Sequence, residues 1–494
     1  MNQDLNRKIV TATKWSSGSE IVAKLIVPIT NMILARLLSP EAFGVVATMT
    51  MVVSFADMFA DAGFQKYLVQ HDFKTKTDKY QSATVAFWTN LLISLLLWGL
   101  IVLFNNHIAN LVGSPGLGLV FIVAGISLPL TSFSSLQMAL FRRDFEYKTL
   151  FYVRMIGIII PFIIVIPLAL LGFSYWSLII GTISGHLANA VILTLKSKWK
   201  PQFFYRFDLL KTMFAFSLWP LLEAISIWLT SWVGTFIIGS ILNSYYVGLY
   251  KTSISTVNSI MAIITASTTS VLFSALSRYQ NDDQAFKKTL FTFQRFVSIF
   301  VFPMSVGIFV YRDLITLILL GKQWKEASLL IGLWGLTSSV SIIFANFSSE
   351  AYRAKGKPKL SFLAQILHLV VLIPVLIISS DDFVVLSYVR SLIRFQFIVV
   401  HLIIVHYFLK ISFSYLLRNI FPIILSSIIM GCLAFLLQKV SNNMIWDFFS
   451  ILLCIIFYFV LLLVFPKTRQ DIVNLISLLK LNFHGNIVKN FLNK

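Results

Sequence analysis

Ala35-Arg36-Leu37-Leu38-Ser39-Pro40-Glu41-Ala42-Phe43-Gly44 is a short polar break between two apolar runs, 15–38 and 42–65. Each run is near the ~20 residues that carry a helix across ~30 Å of hydrocarbon. The runs are continuous rather than alternating, which selects helices over the strands of a closed barrel. The same pattern recurs along all 494 residues. Spans are expected at 15–38, 42–65, 81–104, 117–141, 150–171, 175–195, 212–238, 246–275, 289–311, 327–350, 360–379, 383–408, 419–437 and 446–465. The connections are short, and none is long enough for a separate soluble domain. The sequence therefore predicts an all-α membrane protein of about fourteen transmembrane helices.

Composition agrees. The chain is 57% hydrophobic and 12% charged, with a mean hydropathy of +0.84; soluble chains carry roughly 25% charged residues. A formal charge of +20 would suggest nucleic acid in a soluble protein. Here the basic residues fall mostly between spans and report topology instead. With the N-terminus placed in the cytoplasm, inner segments hold Arg7, Lys8, Lys14, Lys66, Lys74, Lys76, Lys79, Arg142, Arg143 and Lys148. They also hold the basic residues between Lys196 and Lys211, Arg278, Lys287, Lys288, those between Arg353 and Lys359, Lys410, Arg418 and the tail. Outer segments hold Arg312, Lys322, Lys325 and Lys439. The positive-inside rule then sets both termini in the cytoplasm and favours an even number of spans. The two cysteines, Cys432 and Cys454, lie in apolar runs and give no disulfide framework or metal site. No cleavable signal peptide is evident, so the first apolar run is expected to stay as the first span.

The quoted break has a counterpart. Ser240-Ile241-Leu242-Asn243-Ser244-Tyr245-Tyr246-Val247-Gly248 matches Arg36 to Gly44 at a spacing of 204 residues. The same spacing pairs Trp15 with Trp219 and Asp78 with Asp282, and the basic turn Arg142-Arg143 matches Arg353-Ala354-Lys355 at a slightly larger one. A repeat of about six spans gives both halves one orientation, with a pseudo-twofold axis along the membrane normal. The expected layout is an N-terminal lobe over 1–205, a second lobe over 206–412, and two peripheral helices with a cytoplasmic tail over 413–494.

A charge facing lipid at mid-helix costs about 2.5–3.5 kcal/mol on insertion scales, so ionised residues inside spans face protein or water. The first half has Glu20, Lys24, Asp57, Asp61 and Arg154; the second has Glu223, Lys251, Arg295, Arg390 and Arg394. Glu20 and Lys24, Asp57 and Asp61, and Arg390 and Arg394 are each four apart, so each pair can share one helix face. Polar faces on several helices predict a water-filled interior. Lys24, Arg154, Lys251, Arg390 and Arg394 are candidates to hold a phosphate or carboxylate, Arg by planar bidentate contact and Lys as a point charge. Asp57, Asp61 and Glu223 are candidates to carry a coupling proton or sodium ion, because a carboxylate withdrawn from water can take up a proton near neutrality. The competing reading is salt bridges that fasten helices, for instance Arg154 with Asp57 or Asp61. For Arg154 and Arg295, snorkelling to the nearby cytoplasmic face is a further alternative.

Pro28, Pro129, Pro161, Pro167 and Pro220 interrupt helical hydrogen bonding and are read mostly as packing bends. Trp15, Trp176, Trp324 and Trp446 fall near span ends and fit interfacial belts. The acidic pairs Asp282-Asp283 and Asp381-Asp382 sit at helix ends without a phosphate-binding loop or ligand cluster beside them and are read as loop solvation. His401 and His406, five apart, are read as packing or pore-lining residues. No catalytic constellation is apparent and no metal or cofactor is expected, so a membrane enzyme of polymer assembly is the less favoured reading.

Four stretches resemble the polysaccharide-exporter branch of the MOP flippase superfamily. Ala35 to Gly44 is similar to its turn between spans 1 and 2, and Phe55-Ala56-Asp57-Met58-Phe59-Ala60-Asp61-Ala62-Gly63-Phe64 to the end of its span 2. Ala139-Leu140-Phe141-Arg142-Arg143-Asp144-Phe145 is similar to the basic turn after span 4, and Leu320-Gly321-Lys322-Gln323-Trp324 to the turn before span 10. The similarity covers most of the chain in the right order and is nearest to exporters of colanic-acid and teichuronic-acid type. The resemblance implies two MATE/MOP-like six-helix bundles around a central cavity, working by alternating access. It implies a lipid-linked oligosaccharide substrate built on undecaprenyl pyrophosphate, moved across a bacterial cell membrane, and work beside glycosyltransferases and a polymerase. An ion-coupled drug antiporter on the same scaffold would favour acidic over basic cavity residues; here the two are mixed. A sugar-pyrophosphate headgroup cannot cross hydrocarbon unaided, because burying its polar groups unpaired costs several kcal/mol each.

Overall fold

The structure is a computed structural model that describes residues 3–473, apart from 62, 380 and 442. The side chains of Glu223, Arg7, Lys8, Trp219 and Pro220, and the tail beyond 473, lie outside the described residues. The described residues form helices and no strand. In chain order these are α1 (Gln3–Leu37), α2 (Pro40–Asp61), α3 (Phe64–Gln70), α4 (Lys76–Leu103), α5 (Asn105–Leu111), α6 (Gly118–Gly125), α7 (Ser127–Arg143), α8 (Tyr147–Leu170), α9 (Tyr175–Lys196) and α10 (Phe207–Ile241). There follow α11 (Ser244–Arg278), α12 (Asp283–Val310), α13 (Arg312–Leu319), a 3-10 turn (Lys322–Ala327), α14 (Ser328–Val340), a π-helical turn (Ser341–Asn346), α15 (Phe347–Ala354), α16 (Lys359–Ile378), α17 (Phe383–Leu409), α18 (Phe413–Gln438) and α19 (Met444–Val464).

Twelve of the described helices are long and apolar enough to cross a membrane, or thirteen if α11, bent by 44° between Ala266 and Val271, counts as one span. The 35-residue α1 lies outside that count. The all-α membrane fold is as the sequence predicts, and fourteen spans is an approximation to it. Three expected spans are not single α-helices. The run 42–65 stops at Asp61, where Gly63 takes the left-handed φ of 79° and starts α3; a residue with a Cβ is strained there. The run 117–141 is two helices meeting at Ile126, and 327–350 is α14, the π turn and α15. An apolar run reports burial; it does not report where the backbone hydrogen-bond register slips.

The chain forms two compact units. The first is Met1–Thr256 with Leu319–Ala327 and Leu369–Leu386. Its core includes Met49, Phe121, Leu128 and Ile179 in one cluster and Phe64, Leu68, Phe87 and Leu136 in another. Polar side chains tie α4 to α7: Ser132 Oγ donates to Asn90 Oδ1 at 2.7 Å and lies 2.9 Å from Ser94 Oγ. Such interhelical bonds replace the water that lipid does not offer. Arg143 closes the open C-terminus of α3 by donating to the carbonyls of Leu68, Val69 and His71, a favourable place for a cation.

The repeat-related glycines meet in this unit. A Cβ on Gly44 would lie 1.7 Å from the Ser244 carbonyl oxygen, and one on Gly248 would lie 1.8 Å from that of Pro40. The first turns of α2 and α11 therefore cross backbone to backbone through a reciprocal contact between positions 204 residues apart. Ser114 Oγ lies 3.0 Å from Ser244 Oγ and 3.3 Å from Thr48 Oγ1, extending the crossing. Trp324 is fully buried rather than interfacial, correcting its assignment to an aromatic belt. Its indole N–H donates to the Ala35 carbonyl at 2.8 Å, beside Gln323 Nε2, which donates to Ala35 and Leu38. These bonds satisfy carbonyls left open at the end of α1.

The second unit is Val257–Ile318 with Ser328–His368 and Ser387–Lys494. Here α12 packs against α14, where Gly335 admits Ile308, and against α18, where Gly431 admits Val306. The last helix, α19, is fastened by polar bonds as well: Tyr311 Oη lies 2.8 Å from Ser450 Oγ, and Tyr458 Oη donates to the Ile299 carbonyl at 2.8 Å. Each unit carries one ion pair at repeat-related positions with the charges exchanged. In the first, Lys79 reaches Asp144 at 3.0 Å; in the second, Lys355 reaches Asp283 at 2.6 Å. Asp282 and Asp382 are helix N-caps, accepting from the N–H groups two and three residues on, which assigns the two acidic pairs a local role beyond solvation. His401 packs between Tyr352 and Phe397.

Candidate functional site

Arg390 and Arg394 stand one turn apart on α17, as their spacing requires, and the second unit gathers both onto one indole. The guanidinium carbon of Arg394 is 3.9 Å from the Trp334 ring centre and that of Arg390 is 4.8 Å away. Both distances lie within cation–π range, worth about 2 kcal/mol when desolvated. Arg394 Nη1 donates to the Trp334 carbonyl (3.1 Å), Thr337 Oγ1 (2.9 Å) and Ser338 Oγ (3.1 Å). These acceptors are all neutral, so they orient the guanidinium without countering its charge. Trp334 is held in turn by its N–H bond to Asn258 Oδ1 at 3.1 Å. The turn carrying Thr337 and Ser338 runs directly into the π turn Ser341–Asn346, a helix irregularity frequent at functional sites. Arg390 is 7% exposed.

The cations of the first unit are arranged differently. Glu20 accepts from Arg154 at 2.7 Å and from Lys24 at 3.2 Å. Arg154 therefore pairs with Glu20, not with Asp57 or Asp61, the partners named in the competing salt-bridge reading. One carboxylate between two cations leaves a net positive cluster, half exposed, where α1 meets α8. Lys251 lies 3.4 Å from the Trp232 ring centre and donates to the Ser231 carbonyl at 3.3 Å. Arg295 is held between helices: its Nε and Nη2 reach the two oxygens of Asp471 at 2.5 and 2.9 Å, and Nη1 reaches Asn419 at 3.4 Å.

Asp57 and Asp61 part company. Asp57 faces a cavity of about 160 Å³ within the first unit, lined also by Thr50, Ser54, Thr131, Thr182 and His186. Thr131 donates to Asp57 Oδ1 at 2.7 Å. Asp61, one turn on, is outside this lining, and its Oδ1 is buried without a hydrogen-bond partner among the described residues. Sequence reading missed Trp334, Trp232, Thr131 and His186. A tryptophan or threonine inside an apolar run carries no signal of its own, because the run accounts for it as packing.

This fold is similar to that of the lipid II flippase MurJ in an inward closed conformation, with a TM-score of 0.74 at 16% identity, covering 94% of this chain and 100% of that one. It is also similar to an inward-facing multidrug resistance MATE transporter of the MOP superfamily, with a TM-score of 0.56 at 13% identity over 81% of this chain and 94% of that one. The membrane-length helices and this likeness define a multi-pass membrane protein with a MurJ- and MATE-like fold. Residues 33–329 match the family described as polysaccharide biosynthesis protein, and the chain belongs to that family. Among its relatives, the succinoglycan biosynthesis transport protein ExoT of Rhizobium meliloti (strain 1021) is 26% identical over 69% of this chain and 68% of its own length. The lipopolysaccharide biosynthesis protein WzxC of Escherichia coli (strain K12) is 19% identical over 76% of each chain.

Proposed function

We propose that this protein flips lipid-linked oligosaccharide units, carried on undecaprenyl pyrophosphate, across the bacterial cytoplasmic membrane for export of a surface polysaccharide. Both termini are cytoplasmic in this reading. The lobes 1–205 and 206–412 alternate access to a cationic cavity, with 413–494 outside the moving core. Glycosyltransferases supply the substrate and a polymerase consumes it. The observation that carries the reading is the Arg390–Arg394 pair on Trp334: two guanidinium groups inside one membrane-length helix, with Arg394 bound to neutral acceptors. A pyrophosphate offers the bidentate oxygens such groups bind. Within the first unit, Lys251 and the net positive Glu20–Lys24–Arg154 cluster are the remaining candidate cations. The names of the relatives, one a polysaccharide transport protein and one a lipopolysaccharide biosynthesis protein, favour this substrate class over drugs.

Asp57 supports coupling to a proton or sodium gradient, because a carboxylate that accepts from Thr131 and shares a small cavity with His186 is equipped to bind a cation. The test is in cells. A strain lacking this chain should accumulate lipid-linked oligosaccharide with its headgroup on the cytoplasmic leaflet while losing surface polymer. Loss of polymer with no accumulated lipid-linked unit would place the protein elsewhere in assembly.

A further inference from the structure

The start of α18 and the end of α19 lie at the same end of this antiparallel pair, since the short segment 439–443 joins them at the other. Between them, within the second unit, is a cavity of about 610 Å³. Phe421, Pro422 and Phe465 form its apolar walls; Arg418, Lys467 and Ser414 are its polar groups. Among the described residues no carboxylate lines it, and Asp471, four residues past Lys467, is engaged by Arg295. Arg418, Lys467 and Arg469 at one end of the pair mark that end as cytoplasmic by the positive-inside rule.

An open recess with apolar walls and two exposed cations, at the depth where a spanning helix leaves the hydrocarbon, matches a phospholipid in both parts. The phosphate meets the cations and the first acyl carbons meet the rings. Basic pockets between spanning helices on the cytoplasmic side bind anionic headgroups in this way. We propose that the α18/α19 recess is a binding site for an anionic phospholipid, phosphatidylglycerol or cardiolipin, drawn from the cytoplasmic leaflet. The site lies apart from Arg390 and Arg394 and does not depend on what those residues carry.

The experiment uses the full-length protein in mixed-lipid nanodiscs, released for native mass spectrometry, with retained lipid counted per chain. Cardiolipin and phosphatidylglycerol are retained over phosphatidylethanolamine by the unaltered protein. Arg418→Gln with Lys467→Gln lowers that preference by about fivefold for each charge removed. Arg418→Lys with Lys467→Arg keeps it, separating charge from any loss of folding. Lys357→Gln with Lys359→Gln, basic residues just before and at the first position of α16, also keeps it. Unchanged retention in the double glutamine variant would overturn the proposal, as would equal losses in the Lys357/Lys359 pair, which would reduce it to general surface attraction. Displacement of the bound lipid by undecaprenyl pyrophosphate, or by inorganic phosphate alone, would overturn the assignment to a phospholipid. The readout is lipid retention rather than transport, so its failure leaves the flippase reading standing.

Discussion

At the scale of single residues, the account rests on Arg394. Its contacts with Trp334, Thr337 and Ser338 hold the guanidinium in place without neutralising it. Replacing Arg390→Ala together with Arg394→Ala is expected to slow translocation at unchanged membrane expression, measured by headgroup accessibility in reconstituted vesicles and by blotting. Wild-type rates in that variant would remove the pair from the site. Asp57→Asn is expected to abolish the response of the rate to an imposed proton or sodium gradient, while Asp61→Asn, outside the Asp57 cavity, retains it; the measurement is transport with and without each gradient. The Arg pair was readable in the sequence, because charge inside an apolar run is conspicuous and a spacing of four fixes the shared face. Trp334 and His186 were not. Nor was the partner of Arg154, because Glu20 lies on a helix whose contact with α8 is set by folding.

At the scale of elements, α12, α18 and the segment after α19 are joined through Arg295, which both oxygens of Asp471 engage. The pair is about four-fifths buried on each side, so Asp471→Asn leaves a guanidinium largely without its countercharge. That change is expected to cost about 1–3 kcal/mol, less than a fully buried pair because solvent still screens it. The check is the unfolding midpoint in detergent, with Arg295→Gln alone and both changes together closing a double-mutant cycle. A cycle with no coupling energy would mean that the contact does not fasten these helices. Spans were read from the sequence because hydrocarbon thickness sets their length. The breaks at Gly63, Ile126 and Ser341–Asn346 were not, because an apolar residue looks the same whether its carbonyl is bonded four or five residues on.

At the scale of the whole molecule, the repeat seen between Arg36–Gly44 and Ser240–Gly248 becomes a physical contact: Gly44 and Gly248 lie across the crossing of α2 and α11 with no room for a Cβ. The charge-exchanged pairs Lys79–Asp144 and Lys355–Asp283 fit the same duplication, which single residues compared along the sequence could not reveal. If alternating access parts this crossing, fixing it should stop transport. Ser114→Cys with Ser244→Cys, whose hydroxyl oxygens are 3.0 Å apart, is expected to form a disulfide that blocks translocation and is released by reductant. A cross-linked protein that still transports would show that the crossing stays closed throughout the cycle.

The central claim is that the protein itself carries a lipid-linked sugar headgroup across a bilayer. Its most direct test is purified chain in vesicles loaded with undecaprenyl-pyrophosphate oligosaccharide on one leaflet, with headgroup exposure on the opposite leaflet followed in time. The account predicts protein-dependent exposure well above that of empty vesicles. Exposure no faster than in protein-free vesicles, under either gradient, would contradict it.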